Sequence, residues 1–357
     1  MTTEPEADVS QGGMAEPLKI GIIGYGYWGP NLARNFDGLP DCRLVAVADR
    51  RPERRAAVRE RFRDVITVSD HAELADIHLD AVVVATPPRT HASVASYCLH
   101  QGWHTLVEKP LALRSEDAVA LGALADAKNL VLMVGHTFEY NPSVTLLKQL
   151  IADGELGRLY YFDMTRVNLG LYQKDLNVMW DLAPHDLSIL LHLLAEEPVR
   201  VSAQGRDFIT PGVFDDVHMN LEFAIGISAH IHVSWLSPKK VRQCTIVGSR
   251  RMAVFDDVDP FDSVRVYDKG VDVPAYTDTF EDFHYSYRHG NVVTPYIAQQ
   301  EPLRIQCRHF VDSIRAGARP QTDAANGARV VRILEAAERS LGQGGTPIEL
   351  TSSVLYV

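Results

Sequence analysis

The chain has 357 residues, 46% of them apolar, and its 35 basic and 46 acidic side chains leave a formal charge of −11. That length suits two domains with ample core, so neither disulfides nor a structural metal are needed. The charge disfavours a nucleic-acid partner, which needs a clustered basic surface, but it leaves room for a small anionic ligand in a local basic pocket.

The start, MTTEPEADVSQGGMAEP, is acidic and polar and has no apolar stretch of signal-peptide type. Residues 1–17 are expected to be a flexible tail. No run of about 20 apolar residues occurs, so no membrane span is expected. Cys42, Cys98, Cys244 and Cys307 are widely spaced and form no CxxC pair. Reduced, buried thiols in a cytoplasmic protein are the expectation.

From Leu18 onward, short runs rich in Val, Ile and Leu alternate with helical stretches. The runs are LKIGIIG, LVAVAD, DVITV, DAVVVAT, HTLVEK and LVLMVGH. They are continuous rather than alternating, as strands buried on both faces should be. Helical segments at His91–Gln101 and Ser115–Lys128 separate some of them. The β-α repetition predicts a doubly wound parallel sheet over residues 18–137. The stretch RRPERRAAVRERFRD holds seven arginines and is expected to be a solvated helix face.

Residues 138–357 read as α+β. A helix is expected at Pro142–Ala152, a strand at Leu159–Val167 and a helix at about Leu182–Leu194. Long alternating strands follow between Val199 and Tyr267, then helices at Leu303–Ala316 and Ala324–Leu341. The alternation suits a large open, mostly antiparallel sheet with one covered face.

GYGYWG places Gly24, Gly26 and Gly29 between the first strand and a helix that opens at Pro30. Gly24 suits a tight turn, Gly26 a close approach of backbone to pyrophosphate, and Gly29 close helix–strand packing. Tyr27 and Trp28 lie in the same turn. Asp49 ends the second strand, where a carboxylate accepts hydrogen bonds from the adenosine ribose and repels a 2′-phosphate. NAD is therefore expected. Arg50 and Arg51 leave NADP open, because a guanidinium can hold that phosphate.

The fourth strand ends in ATPPRTH, which puts Thr86, Pro87, Pro88 and His91 at the cofactor end of the sheet. The fifth ends in Glu108-Lys109-Pro110, where the ammonium can stabilise a developing alkoxide. Asp181 and His185 in WDLAPHD are one helical turn apart, so the carboxylate could orient the imidazole. Pro184, between them, suggests the first turn of that helix.

Together, GYGYWG, ATPPRTH, EKPLAL and WDLAPHD resemble the Gfo/Idh/MocA oxidoreductase family over about Leu18 to Leu350. The resemblance implies a Rossmann domain followed by a domain with an open antiparallel sheet. It also implies an active site of Lys109, Asp181 and His185, and leaves open whether Lys109 or His185 takes the hydroxyl proton. GYGYWGPNLARNF, GHTFEYNPSV, WDLAPHDLSIL and EPLRIQCRHFVDSIRAG resemble the branch containing UDP-sugar 3-dehydrogenases. That implies oxidation at C3 of a nucleotide-linked sugar.

Tyr140, Asn141, Arg166, Asn168, Lys239 and Lys240 are candidate substrate contacts, since a diphosphate needs cations and a sugar needs polar groups. A free cyclitol, aminocyclitol or pyranose is the alternative substrate, and a non-catalytic NAD-binding regulator the alternative class. Among 14 histidines, His230 and His232 form the closest-spaced pair and share a strand face. No third ligand is evident beside them, so no metal is expected. An open sheet has a second face to cover, so a homodimer or homotetramer is expected.

Overall fold

The computed structural model describes residues 16–170, 172–173, 176–272 and 285–350. Nearly all of the expected N-terminal tail lies outside the described residues. Six parallel strands follow: β1 (Leu18–Ile23), β2 (Cys42–Ala48), β3 (Ile66–Val68), β4 (Ala81–Val84), β5 (His104–Val107) and β6 (Leu132–Val134). Their order in the sheet is β3-β2-β1-β4-β5-β6, so the order reverses beside β1. A nucleotide crevice belongs at that switch point, beyond the carboxyl ends of the strands.

Helices α1 (Gly29–Asp37), α2 (Pro52–Arg61), α3 (His91–His100) and α4 (Ser115–Ala127) provide the crossovers. All four residues of β4 are buried, which is why this strand reads as an unbroken apolar run. In α2 only Val58 is buried, as expected of an arginine-rich solvated helix. The four cysteines are free and buried.

The chain continues through α5 (Pro142–Ala152), β7 (Leu159–Val167) and α6 (Val178–Leu194). Next come β8 (Pro198–Arg206), β9 (Asp216–Phe223), β10 (Ser228–Ser234), β11 (Val241–Gly248), β12 (Met252–Asp256), β13 (Val264–Asp272) and β14 (Ser286–Val293). After α7 (Pro302–Ala316) and α8 (Ala324–Gly342), the short β15 (Ile348–Glu349) closes the order. The second sheet has nine strands, in the order β14-β13-β12-β11-β7-β10-β9-β8-β15. Only β7 and β10 run parallel among its described pairings. In β9, buried residues alternate with partly or fully exposed ones, so one face is covered and the other open. Helix α6 packs on the covered face, with Ala183, Leu187 and Leu190 in one core with Phe162, Ile231 and Val233.

Two differences from the sequence expectations bear on the site. Helix α6 starts a turn earlier than expected, because the Asn177 side chain accepts the Trp180 N–H at 3.2 Å and caps it. Pro184 therefore lies inside the helix, where it offers no N–H to the Trp180 carbonyl. The core of the first sheet also draws on a later segment of the chain. Leu303, Cys307, Phe310 and Val311 of α7 complete the core formed by β1, β2 and α1.

Candidate active site

At the end of β1, Gly24 has φ +97°, a conformation open to glycine at little cost. A Cβ there would lie 2.5 Å from the Ala85 carbonyl oxygen, and one on Gly29 would lie 2.4 Å from that of Gly24. By contrast, a Cβ on Gly26 would meet only the tip of Arg51, at 3.8 Å. Two glycines thus close the turn, and the third leaves space in front of it. The chain fits a dinucleotide there: this space is where a pyrophosphate approaches the N-terminus of α1. The Tyr27 and Trp28 side chains project outward, Tyr27 being 75% exposed.

Asp49 is buried beside this turn. Its carboxylate accepts the N–H groups of Tyr25 at 2.7 Å and Arg51 at 2.9 Å, and the Arg51 guanidinium at 3.3 Å. Burial pushes the carboxyl pKa up, but the bonds from Arg51 and Tyr25 outweigh it and hold the pKa below the usual value. Arg50 points elsewhere, 3.9 Å from Asp70 and highly exposed. Arg51, one residue on, is therefore the cation beside Asp49. Only its position relative to Asp49 reveals this.

Thr86, Pro87 and Pro88 follow β4, and Thr90 Oγ1 donates to Thr86 Oγ1 at 2.8 Å. His91, expected among the cofactor contacts, has its ring packed inside the protein. Its imidazole is 1% exposed and lies between two backbone oxygens, Nδ1 2.7 Å from Pro110 O and Nε2 2.8 Å from Thr86 O. The ring, held neutral by burial, donates its one N–H to one of these oxygens and sits between the loop after β4 and the one after β5. Glu108 is also buried, and burial raises its pKa to about 7 against the pull of Lys109.

Lys109 crosses from the nucleotide domain to α6. Its Nζ donates to the Asp181 main-chain oxygen at 2.6 Å and lies 3.4 Å from Asp181 Oδ1. The other carboxylate oxygen, Oδ2, accepts the Trp235 indole N–H at 3.1 Å. Trp235 is fully buried; it stands 54 residues from Asp181 in the chain, and no local motif announces it. The Asp181 carboxylate is thus directed at Lys109 and Trp235, and no hydrogen bond to His185 occurs among the described residues.

His185 is half-buried, edge-on to the Phe138 ring at 5.2 Å, and its Nδ1 is buried without a partner. Burial first, then the charges of Lys109, Arg166 and Arg242, hold its pKa well below the usual value. The imidazole is therefore neutral near pH 7 and able to accept a proton. Behind Phe138, the buried Glu139 takes hydrogen bonds or ion pairs from Asn326 at 2.9 Å and His192 at 3.2 Å. Burial raises its pKa, but His136, His192 and Asn326 outweigh that and bring it to about 2.

Three substrate candidates turn out to have structural partners. Arg166, expected to hold a phosphate, is buried in a two-point pair with Asp186 at 2.8 and 3.0 Å and sits 4.6 Å over the Phe138 ring. Its Nε and one terminal nitrogen are committed, and its charge is matched. Asn141 is the N-cap of α5, its Oδ1 accepting the Ser143 N–H at 2.8 Å. The Tyr140 hydroxyl is buried against Thr322 Oγ1 at 2.9 Å. Asn168 remains partly exposed after β7, and Lys239 and Lys240 are exposed in the β10–β11 loop. The expected pair His230 and His232 lies on the open face of the second sheet, with His230 Nδ1 2.6 Å from Asn220 Oδ1.

No helix among the described residues is long and apolar enough to cross a membrane. Residues 18–136 match the model of the oxidoreductase family with an NAD-binding Rossmann fold, and residues 144–254 match the GFO/IDH/MocA C-terminal domain. The UDP-N-acetylglucosamine 3-dehydrogenase of Acidithiobacillus ferrooxidans is 28% identical, over 88% of this chain and 94% of that protein. The inositol 2-dehydrogenase of Rhizobium meliloti is 29% identical, over 60% of this chain and 68% of that protein. Among solved structures, GenD2 from gentamicin A biosynthesis, in complex with NAD, superposes with a TM-score of 0.80. It is 25% identical and covers 98% of this chain and 100% of its own. The chain belongs to the Gfo/Idh/MocA family of dehydrogenases.

Proposed function

We propose that the protein is an NAD-dependent dehydrogenase that oxidises a secondary hydroxyl, at C3, of a nucleotide-linked sugar to a ketone. The observation that carries this reading is the meeting of Lys109, Asp181 and His185 beyond the strand ends of a dinucleotide-binding sheet. The nicotinamide, when bound, supplies the hydride acceptor. Lys109, oriented by Asp181, directs its ammonium at the substrate oxygen and stabilises the alkoxide as charge develops. The neutral His185 takes the hydroxyl proton at Nε2, the nitrogen that is not buried without a partner. The Asp181 main-chain oxygen and carboxylate hold the lysine, and Trp235 in turn fixes that carboxylate.

The ionised Asp49 supports NAD over NADP, because it would repel a 2′-phosphate. The length of the match to the UDP-N-acetylglucosamine 3-dehydrogenase supports the nucleotide sugar. One observation favours a second reading. With Arg166 committed to Asp186, one expected phosphate ligand is gone, which suits an unphosphorylated aminocyclitol or pyranose. We further infer a cytoplasmic enzyme that pairs as a homodimer or homotetramer through the open face of the nine-stranded sheet, where Tyr161 is exposed.

The test is NADH formation by purified enzyme offered UDP-sugars, inositols and aminocyclitols in parallel. UDP-sugars should be turned over most efficiently. Reaction with unphosphorylated polyols alone would overturn the nucleotide-sugar reading, and reaction with none would overturn both.

A further inference from the structure

Away from the cleft, three side chains meet on the open face of the second sheet. Asp216 and His218 are two residues apart on β9, so both project from the same face. His232 on β10 stands directly opposite His218 in the antiparallel register. The two imidazoles stack, with centroids 4.1 Å apart and planes within 8°. The Asp216 carboxylate faces both: Oδ1 lies 2.9 Å from His232 Nε2, and Oδ2 lies 3.6 Å from His218 Nε2. One ligand atom from each residue falls within 4.8 Å of the other two.

We propose that Asp216, His218 and His232 form a binding site for a divalent transition-metal ion of the zinc type. Two imidazoles and one carboxylate are a donor set such ions prefer. The three ligands stand on two paired strands, so the ladder fixes their spacing before any ion arrives. Without a cation, an Nε2 that meets the carboxylate must carry a proton to do so. A metal takes the place of those protons and satisfies all three groups at once. In the single chain His218 and His232 keep 58% and 34% of their side-chain surface, so an ion can reach them before a second copy covers this face. The site is not catalytic, because the sheet separates it from α6 and His185. It would pin β9 to β10, or offer open positions to a ligand from a second molecule.

Of the pair visible in the sequence, only His232 belongs to this cluster. His230 is taken up by Asn220, and the missing partners come from β9. The test is titration of chelator-treated full-length protein with Co²⁺, read by visible absorption, and with Zn²⁺, read by calorimetry. One saturable site per chain is expected. His218→Ala and His232→Ala should each weaken it by about tenfold or more, and His230→Ala should leave it unchanged. NADH formation should persist without metal. No saturable binding, or equal binding by a folded His218→Ala/His232→Ala double variant, would overturn the proposal.

Discussion

Lys109 and Asp181 are joined at two points: the ammonium donates to the Asp181 main-chain oxygen at 2.6 Å and lies 3.4 Å from its carboxylate. One residue ends a strand of the nucleotide domain, and the other stands near the start of the helix that covers the second sheet. This link brings the two domains together where the reaction is proposed to occur. Removing the ammonium should remove transition-state stabilisation while leaving the glycine turn intact. Lys109→Ala is expected to lower kcat by about 100-fold or more, with the NAD Kd, read by NADH fluorescence, changed little.

The pKa of His185 is held well below 6.5 by burial and then by the cations around it. Proton acceptance requires the neutral ring, and a depressed pKa keeps the ring neutral through pH 6.5. Activity is therefore lost only as pH falls through that lower value. The profile of kcat/KM against pH should stay level down to about 6.5 and turn down below it. His185→Asn should cost about 100-fold or more in kcat and abolish that acid limb.

Arg166 and Asp186 form a buried two-point pair, so Arg166→Ala would leave a buried carboxylate unmatched. A loss of about 3–5 kcal/mol is expected in denaturant unfolding. Replacing both partners, as in Arg166→Met with Asp186→Leu, should restore most of it. If Arg166→Met kept its stability but raised KM selectively for UDP-sugars, Arg166 would be a phosphate ligand after all.

Asp49 and Arg51 lie together beside the glycine turn, where the ribose is proposed to sit. Asp49→Ser removes the negative charge and leaves the guanidinium. The ratio of kcat/KM for NAD to that for NADP should fall by about tenfold or more. An unchanged ratio in a folded variant would show that Asp49 does not read the ribose.

Much of this was legible in the sequence where cause and effect are local. Strands β1, β4, β5 and β6 of the first sheet are largely buried on both faces, so their apolar runs mark them directly. The bounds of α5 and β7 follow from Asn141-Pro142 and from an alternating run. Interactions between distant segments were not legible. Nothing near Arg166 announces Asp186 on the next helix, and nothing near Asp181 announces Trp235. The capping role of Asn141 was written locally, as Asn before Pro and Ser, and a functional reading of the same residue obscured it. His218 escaped notice because only the β9–β10 register places it opposite His232.

The central claim is hydride removal from C3 of a nucleotide-linked sugar, and label transfer tests it most directly. The enzyme is incubated with NAD and a UDP-linked N-acetylhexosamine deuterated only at C3, and the reduced cofactor is examined by mass spectrometry. The account predicts deuterium in the nicotinamide ring and a primary isotope effect on the chemical step. Reduced cofactor formed at full rate without deuterium would contradict it, as would failure to oxidise this sugar while free inositols react.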